Sequence, residues 1–170
     1  FIPVAIDAQD GIYVGVEVND TCVVGNDTII FNPSSWKGGI IKMDGNGIGE
    51  WAREFQSDPT TAWALSPSFD GSGAVLVGQI VGNATFGDIS ISSTDGSSFM
   101  AAVDAVGEFQ NAYAFLTGPG GSIALALAPG EGANYHVGGK LNNSTIPVFA
   151  CTEAIANKGF YLSEFNFHPA

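Results

Sequence analysis

The sequence predicts an all-β protein made of three repeats of a four-stranded antiparallel, blade-like unit. Three observations lead to this prediction. Apolar and polar residues alternate with the period of two that is typical of strands. Turn-forming residues are abundant, with 23 Gly and 8 Pro among 170 residues. An apolar segment that ends in glycine recurs at Gly15, Gly78 and Gly138, roughly 60 residues apart.

Each repeat begins with two short strands joined by an acidic or glycine-rich turn. First strands are predicted at 4–7, 62–65 and 123–126, with turns at 9–11, 70–73 and 130–132. The second strand of each copy contains the recurring glycine. Two alternating segments separated by a short turn of this composition predict a β-hairpin.

The second half of each repeat begins with an Asn-containing turn. These turns are predicted at Asn19, Asn83 and Asn142, and third strands at 39–44, 99–104 and 160–164. Fourth strands are predicted at 49–55 and 107–113, whereas residues 165–170 are too few for a full one. The segment 152–159 has a Thr cap and a terminal Gly, which predict one or two helical turns inside a connector.

The domain prediction is a single repeat domain over residues 1–170. Its repeats span about 1–58, 59–117 and 118–170, and the last lacks a full fourth strand. Three blades are too few to close a propeller, so the array is either open or completed by a partner. A β-sandwich and a three-fold β-prism are the alternative folds.

The charge and composition exclude several classes of partner. Seventeen acidic residues against five basic ones give a net charge of −12, whereas nucleic acids and anionic membrane surfaces attract basic proteins. No apolar run is long enough to cross a bilayer, so membrane insertion is not expected. The absence of an initiator Met indicates a processed protein or a piece of a longer one. An acidic, Gly-rich composition with few lysines is common in secreted and cell-surface proteins.

Five asparagines stand in acceptor patterns for N-glycosylation, which makes glycans a possible partner: Asn19, Asn26, Asn83, Asn142 and Asn143. Four of them fall in one repeat-equivalent loop and would line one rim. Ordinary turn chemistry explains the same residues, because Asn tolerates a positive φ.

Other candidate site residues have simple structural explanations beside the functional ones. Cys22 and Cys151 could form a disulfide or remain two buried thiols. Trp36 lies in a polar stretch and is the candidate ligand contact. Asp44, Asn46 and Glu50 are weak calcium candidates, although Asp is also the residue that a β-turn favours. No catalytic constellation stands out, and no cofactor besides possible calcium is expected.

The second copy also carries a more specific pattern. It reads Val77-Gly78, then 82–87, then 99–104, and finally Gly107-Glu108-Phe109. This pattern resembles the SBBP-type β-propeller repeat of secreted bacterial proteins, and the first copy matches at 13–15, 42–44 and 51–52. The resemblance implies blades of secreted or surface proteins, usually without a catalytic role.

The functional prediction is a non-enzymatic extracellular structural protein, a subunit of a surface filament or adhesin that assembles with other copies of itself. Its physical basis is the open array, since uncovered strand edges attract other strands. A carbohydrate- or ligand-binding propeller module is one alternative. A fragment of an extracellular hydrolase, with acids paired across blades, is another.

Overall fold

A computed structural model describes residues 2–18, 21–25, 27–30, 37–55, 60–68, 70–115, 121–141, 153–157 and 159–166. Throughout these residues the regular secondary structure is β, in fourteen strands with no helix. Three four-stranded antiparallel sheets and one two-stranded hairpin contain all fourteen. The prediction of an all-β fold is therefore confirmed.

Each large sheet is formed by one continuous stretch of chain. Sheet 1 has the order β1-β2-β5-β6, and its strands are β1 (Val4–Ile6), β2 (Ile12–Val18), β5 (Lys37–Met43) and β6 (Gly49–Glu54). A separate hairpin, β3 (Thr21–Val24) with β4 (Asp27–Ile30), lies between β2 and β5 in the chain. Sheet 2 is a meander of β7 (Thr60–Pro67), β8 (Gly73–Phe86), β9 (Ile89–Asp104) and β10 (Phe109–Phe115). Sheet 3 has the order β11-β12-β14-β13, from β11 (Ser122–Pro129), β12 (Asn134–Leu141), β13 (Glu153–Asn157) and β14 (Phe160–Asn166).

The third sheet obtains its fourth strand from an unexpected part of the chain. The sequence predicted helical turns in the connector at 152–159, but residues 153–157 form β13, which pairs with β14 from Glu153↔Glu164 to Asn157↔Phe160. The strand comes before its partner in the chain, whereas the outer strands of sheets 1 and 2 follow theirs, and the prediction left the third copy without a full fourth strand. Pairing satisfies the main-chain groups of β14 that an edge would leave open, and this outweighs a weak local helix preference.

The long hairpin of sheet 2 also differs from the expected Asn-centred turn. Asn83 lies inside β8 and pairs with Ser92 of β9. The ladder shifts register between Ile80 and Gly82, and Gly82 has a φ of 78°. A bulge with glycine in the left-handed region bends a strand without ending it.

The hydrogen-bond ladders correct the predicted alignment of the copies by one residue. The β1–β2 turn is closed by Asp7 N to Gly11 O, and the β7–β8 turn by Ser68 N to Gly73 O, both at 2.9 Å. The second turn has one more residue, so Ile12 corresponds to Ala74, and Gly15 corresponds to Val77 rather than to Gly78. The pairs Ile12↔Met43 and Ala74↔Val103 agree with this correspondence.

Sheet 2 lies between the other two sheets and is buried on both faces. One core joins it to sheet 1 and includes Tyr13, Ile40, Leu76 and Phe99. The other joins it to sheet 3 and includes Val77, Met100, Val137 and Tyr161. Neighbouring residues of β8 and β9 point to opposite faces, so an uninterrupted apolar run such as 74–77 is what burial on both faces requires.

At each interface the two sheets contribute opposite faces. We call the face that points toward the following sheet the leading face, and the opposite one the trailing face. In sheet 1 the leading face contains Tyr13 and Ile40, whose counterparts in sheet 2 are Val75 and Met100. The counterparts point toward sheet 3, so the leading faces of sheets 1 and 2 are equivalent.

Candidate functional site

The Asp carboxylates in the turns accept hydrogen bonds from the backbone N–H groups of the same turns. Asp7 Oδ1 accepts hydrogen bonds from the N–H groups of Gln9 at 2.9 Å and Gly11 at 2.7 Å. Asp44 Oδ1 does the same two and four residues later, with Asn46 and Ile48 at 2.9 and 2.8 Å. Asp104 repeats the pattern with 3.0 and 2.9 Å bonds. An Asp at the first position of a turn stabilises it in this way.

The calcium candidates are engaged with their own surroundings. The backbone hydrogen bond from Ile48 is the main reason why the pKa of Asp44 lies below its usual value. Glu50 Oε2 forms an ion pair with Lys42 Nζ at 2.9 Å. Within the described ranges no three His, Cys, Asp or Glu side chains are grouped closely enough to hold a metal ion.

Of the five glycosylation candidates, one lies among the described residues. Asn83 is exposed on the long hairpin of sheet 2, with Ala84 buried and Thr85 half-buried beside it. Asn19, Asn26, Asn142 and Asn143 lie outside the described residues. The predicted rim of sugars therefore stays a prediction.

The cysteine and tryptophan candidates are likewise only partly placed. Cys22 is half-buried on β3 and packs against a small cluster formed by Val24 and Ala52. Its predicted partner Cys151 and the candidate ligand contact Trp36 lie outside the described residues, so the disulfide and the ligand contact stay predictions.

Three polar side chains of sheet 1 bind one turn of sheet 2. Trp51 Nε1 and Lys42 Nζ donate to the carbonyl oxygen of Ala105 at 2.8 and 3.2 Å. Arg53 Nε donates to Gly107 O at 3.1 Å. Gly107 has a φ of 89°, which only glycine adopts readily, and packs against Trp51 and Arg53. These contacts fix the first interface in register.

A buried hydroxyl cluster joins sheet 2 to sheet 3. Ser98 Oγ lies 2.9 Å from Ser122 Oγ and 3.0 Å from the Tyr161 hydroxyl. Burial raises the pKa of Tyr161 above its usual value, so its hydroxyl stays protonated. Because buried hydroxyls need partners at defined positions, the cluster specifies how the two sheets align.

A cavity of about 300 Å³, lined by both polar and apolar side chains, lies at the turn end of the second interface. Its polar lining consists of Ser68, Asp70, Ser72, Asp104, Gln110 and Tyr135. Asp70 accepts hydrogen bonds from both serine hydroxyls at 2.7 Å. The Ser68 bond is the main reason why the pKa of Asp70 lies below its usual value. A general acid for glycoside hydrolysis needs the opposite shift.

The trailing face of sheet 1 is apolar, and among the described residues no other four-stranded sheet covers it. Strand alternation and register place six aliphatic or thioether side chains together on it: Val4, Ile6, Ile12, Val14, Ile41 and Met43. Val4 and Ile6 are 54% and 57% exposed. The β3–β4 hairpin covers the part of this face around Ala52 and Ile41.

The leading face of sheet 3 likewise has no sheet packed on it within the described ranges. The paired residues Gly138 and Leu162 lie on it, as do Lys140 and Phe160. Leu162 is 51% and Phe160 66% exposed. Glu164 and His136 form the next pair, so the face combines apolar and charged groups.

Sequence reasoning missed the two open faces, although one signal was present. In sheet 1 the apolar residues of β2 and β5 occupy both alternating positions, as in the doubly buried sheet 2. Residues that are apolar on both faces predict a cover on both. Which face stays open depends on how the sheets stack, and sequence spacing does not contain that information.

No protein-family model matches the sequence, and no curated protein is similar to it. Among the described residues there is no helix that could cross a membrane.

Proposed function

We propose that this chain is a non-enzymatic structural protein of the extracellular space that works by assembling with other copies of itself. The observation that carries the proposal is that, among the described residues, no four-stranded sheet packs on the trailing face of sheet 1 or on the leading face of sheet 3. Val4 and Leu162, one on each face, are more than half exposed. Contiguous exposed apolar surface marks interaction sites, because leaving it in water costs free energy.

The proposed architecture is a set of consecutive blades of the SBBP-like repeat. The first strand of sheet 2, β7, contacts β1 of sheet 1 and β11 of sheet 3. First strands that gather on one side are typical of the inner strands of a propeller. Three such blades would then form an arc, and additional blades would continue it as a surface filament or adhesin.

The remaining site observations support a structural role. The aspartates of the turns accept main-chain hydrogen bonds, and Asp70 has a lowered pKa rather than the raised one of a catalytic acid. The exposed acceptor Asn83 and the acidic composition suit a secreted or cell-surface protein. These observations make the hydrolase alternative the weaker proposal.

Light scattering coupled to size-exclusion chromatography, followed by electron microscopy, tests the proposal. We expect dimers or longer species whose proportion rises with protein concentration. A strict monomer at every concentration, with no filaments or rings on the grid, would contradict assembly by this chain.

A ligand-binding module is the second candidate, favoured by the cavity between sheets 2 and 3. Its serine, glutamine and tyrosine hydrogen-bonding groups are of the kind that bind sugar hydroxyls. A glycan array probed with the wild type and with Gln110→Ala tests it. Binding that the substitution abolishes supports this candidate, and the absence of any binding rejects it.

A further inference from the structure

We infer that a second copy of this chain stacks head to tail, with its trailing face of sheet 1 on the leading face of sheet 3 of the first copy. The inference rests on the proposed function and names the surfaces and the polarity of the assembly. The contact would continue the interface that already joins sheet 1 to sheet 2 and sheet 2 to sheet 3.

Both interfaces inside the chain have the same polarity. Tyr13 and Ile40 of the leading face of sheet 1 pack toward Leu76 of the trailing face of sheet 2. Val77 and Met100 of the leading face of sheet 2 pack toward Val137 of the trailing face of sheet 3. A leading face thus meets a trailing face twice, and in the part of the chain that the structure describes one face of each kind has no four-stranded sheet packed on it.

The trailing face of sheet 1 has apolar residues at positions whose counterparts in sheet 2 are buried. By register, Val4 corresponds to Leu65 and Val14 to Leu76. Leu65 and Leu76 are buried against the preceding sheet. Val4 is 54% exposed, and within the described ranges no four-stranded sheet packs on it. A sheet from another copy would bury it in the same way.

On the leading face of sheet 3, Leu162 has clear counterparts in the other two sheets. The pairs Gly15↔Ile40, Val77↔Met100 and Gly138↔Leu162 align the three sheets. Ile40 and Met100 are 0% and 1% exposed, whereas Leu162 is 51% exposed. The position is therefore buried wherever a following sheet exists. In the part of the chain that the structure describes, no sheet packs on Leu162.

Contacts between different faces produce polar assemblies. Two copies bound head to tail together keep one open leading and one open trailing face, so growth continues until the ends meet in a ring or extends into a filament. Contacts between identical faces would instead stop at a dimer.

Charged substitutions at the two exposed positions test this polarity. Val4→Asp blocks the trailing face of sheet 1, and Leu162→Asp blocks the leading face of sheet 3, because an unpaired carboxylate resists burial. Val106→Asp is the matched control, since Val106 is an exposed aliphatic residue on a turn of sheet 2. Circular dichroism and thermal unfolding verify that each variant is folded.

We expect each blocking variant alone to associate at least about tenfold more weakly than the wild type, and the control to associate normally. An equimolar mixture of the two blocking variants should form 1:1 dimers that grow no further, because one intact face of each kind remains. Light scattering and native mass spectrometry count the copies.

Other outcomes overturn the inference in distinguishable ways. Self-association of one blocking variant alone means that identical faces meet. Normal association of both means that strand edges or another surface bind, which leaves the proposed assembly function intact. A wild type that stays monomeric removes the proposed function as well.

Discussion

The indole Nε1 of Trp51 in sheet 1 donates a 2.8 Å hydrogen bond to the main-chain carbonyl of Ala105 in a turn of sheet 2. Lys42 Nζ donates to the same oxygen at 3.2 Å. The turn of one sheet is thus held by the side chains of its neighbour. Packing by apolar contact alone lets sheets slide, whereas these directional bonds set one alignment.

Replacing Trp51 with Phe tests this contact. The ring stays large and apolar, but the donor is lost, while Lys42 still satisfies the Ala105 carbonyl. We expect a loss of about 1 kcal/mol in the free energy of unfolding. Chemical denaturation measures it. The double variant with Lys42→Met should lose more than the sum of the two single losses, because the carbonyl is then left unsatisfied. If the two losses are strictly additive, Lys42 does not satisfy the Ala105 carbonyl in the Trp51→Phe variant.

Leu76 is the test residue for the first core. Its side chain is fully buried between sheets 1 and 2, so Leu76→Ala creates a cavity and should cost about 2–5 kcal/mol. Val4→Ala is the matched control on the uncovered face and should cost far less in a dilute, monomeric sample. Equal losses would show that Val4 is already buried by another copy at that concentration.

Alkaline pH should destabilise the protein. Burial raises the pKa of Tyr13, with a further contribution from its 3.1 Å hydrogen bond to Asp7, and burial also raises the pKa of Tyr161. Above the unfolded-state pKa of about 10, the unfolded chain releases these protons and the folded chain does not, so stability falls as pH rises.

The slope should be at most about 1.4 kcal/mol per pH unit for each buried tyrosine. Denaturation of the wild type, Tyr13→Phe and Tyr161→Phe over this range measures it, and each substitution should reduce the slope. Tyr113→Phe, at an exposed position, is the control. If neither Tyr13→Phe nor Tyr161→Phe changes the slope of stability against pH, other groups cause the alkaline destabilisation.

Acidic pH should remove the stability that the Asp70 carboxylate contributes. The serine hydroxyls and the Ser72 N–H stabilise the ionised form and lower its pKa. The contribution is therefore present above the unfolded pKa of about 4 and is lost as pH falls through the folded pKa. Asp70→Asn should be less stable than the wild type at neutral pH, and the difference should shrink in acid. An unchanged difference, or a similar trend in the exposed control Asp88→Asn, would contradict this.

The strands were predictable because their period and turn residues are local properties. Turn residues such as Asp44 and Asp104 mark where strands end, and the structure places them in matching turns. Two features were not local. The strand β13 forms because β14 offers an unpaired edge, which no pattern within Glu153–Asn157 contains. Gly15 corresponds to Val77 because the β7–β8 turn has one extra residue. Matching Gly15 with Gly78 by residue type hid this extra residue.

The candidate site was harder to predict for the same reason. The apolar nature of Val4 and Leu162 is visible in the sequence, but their exposure depends on the order in which sheets stack. The hydrogen-bond roles of the aspartates were correctly interpreted as turn chemistry. The contact of Trp51 with Ala105 joins residues of two different sheets, so no motif within the stretch that forms one sheet contains it.

The assignment of each large sheet to one uninterrupted stretch of chain has a genetic consequence. The sheets span residues 4–54, 60–115 and 122–166, and none of the described strands crosses from one sheet into another. Duplicating the coding sequence of one such stretch adds a whole sheet while every existing hydrogen-bond ladder stays paired. Unequal recombination between similar stretches can therefore lengthen or shorten the stack in single steps, and each product keeps one leading and one trailing end.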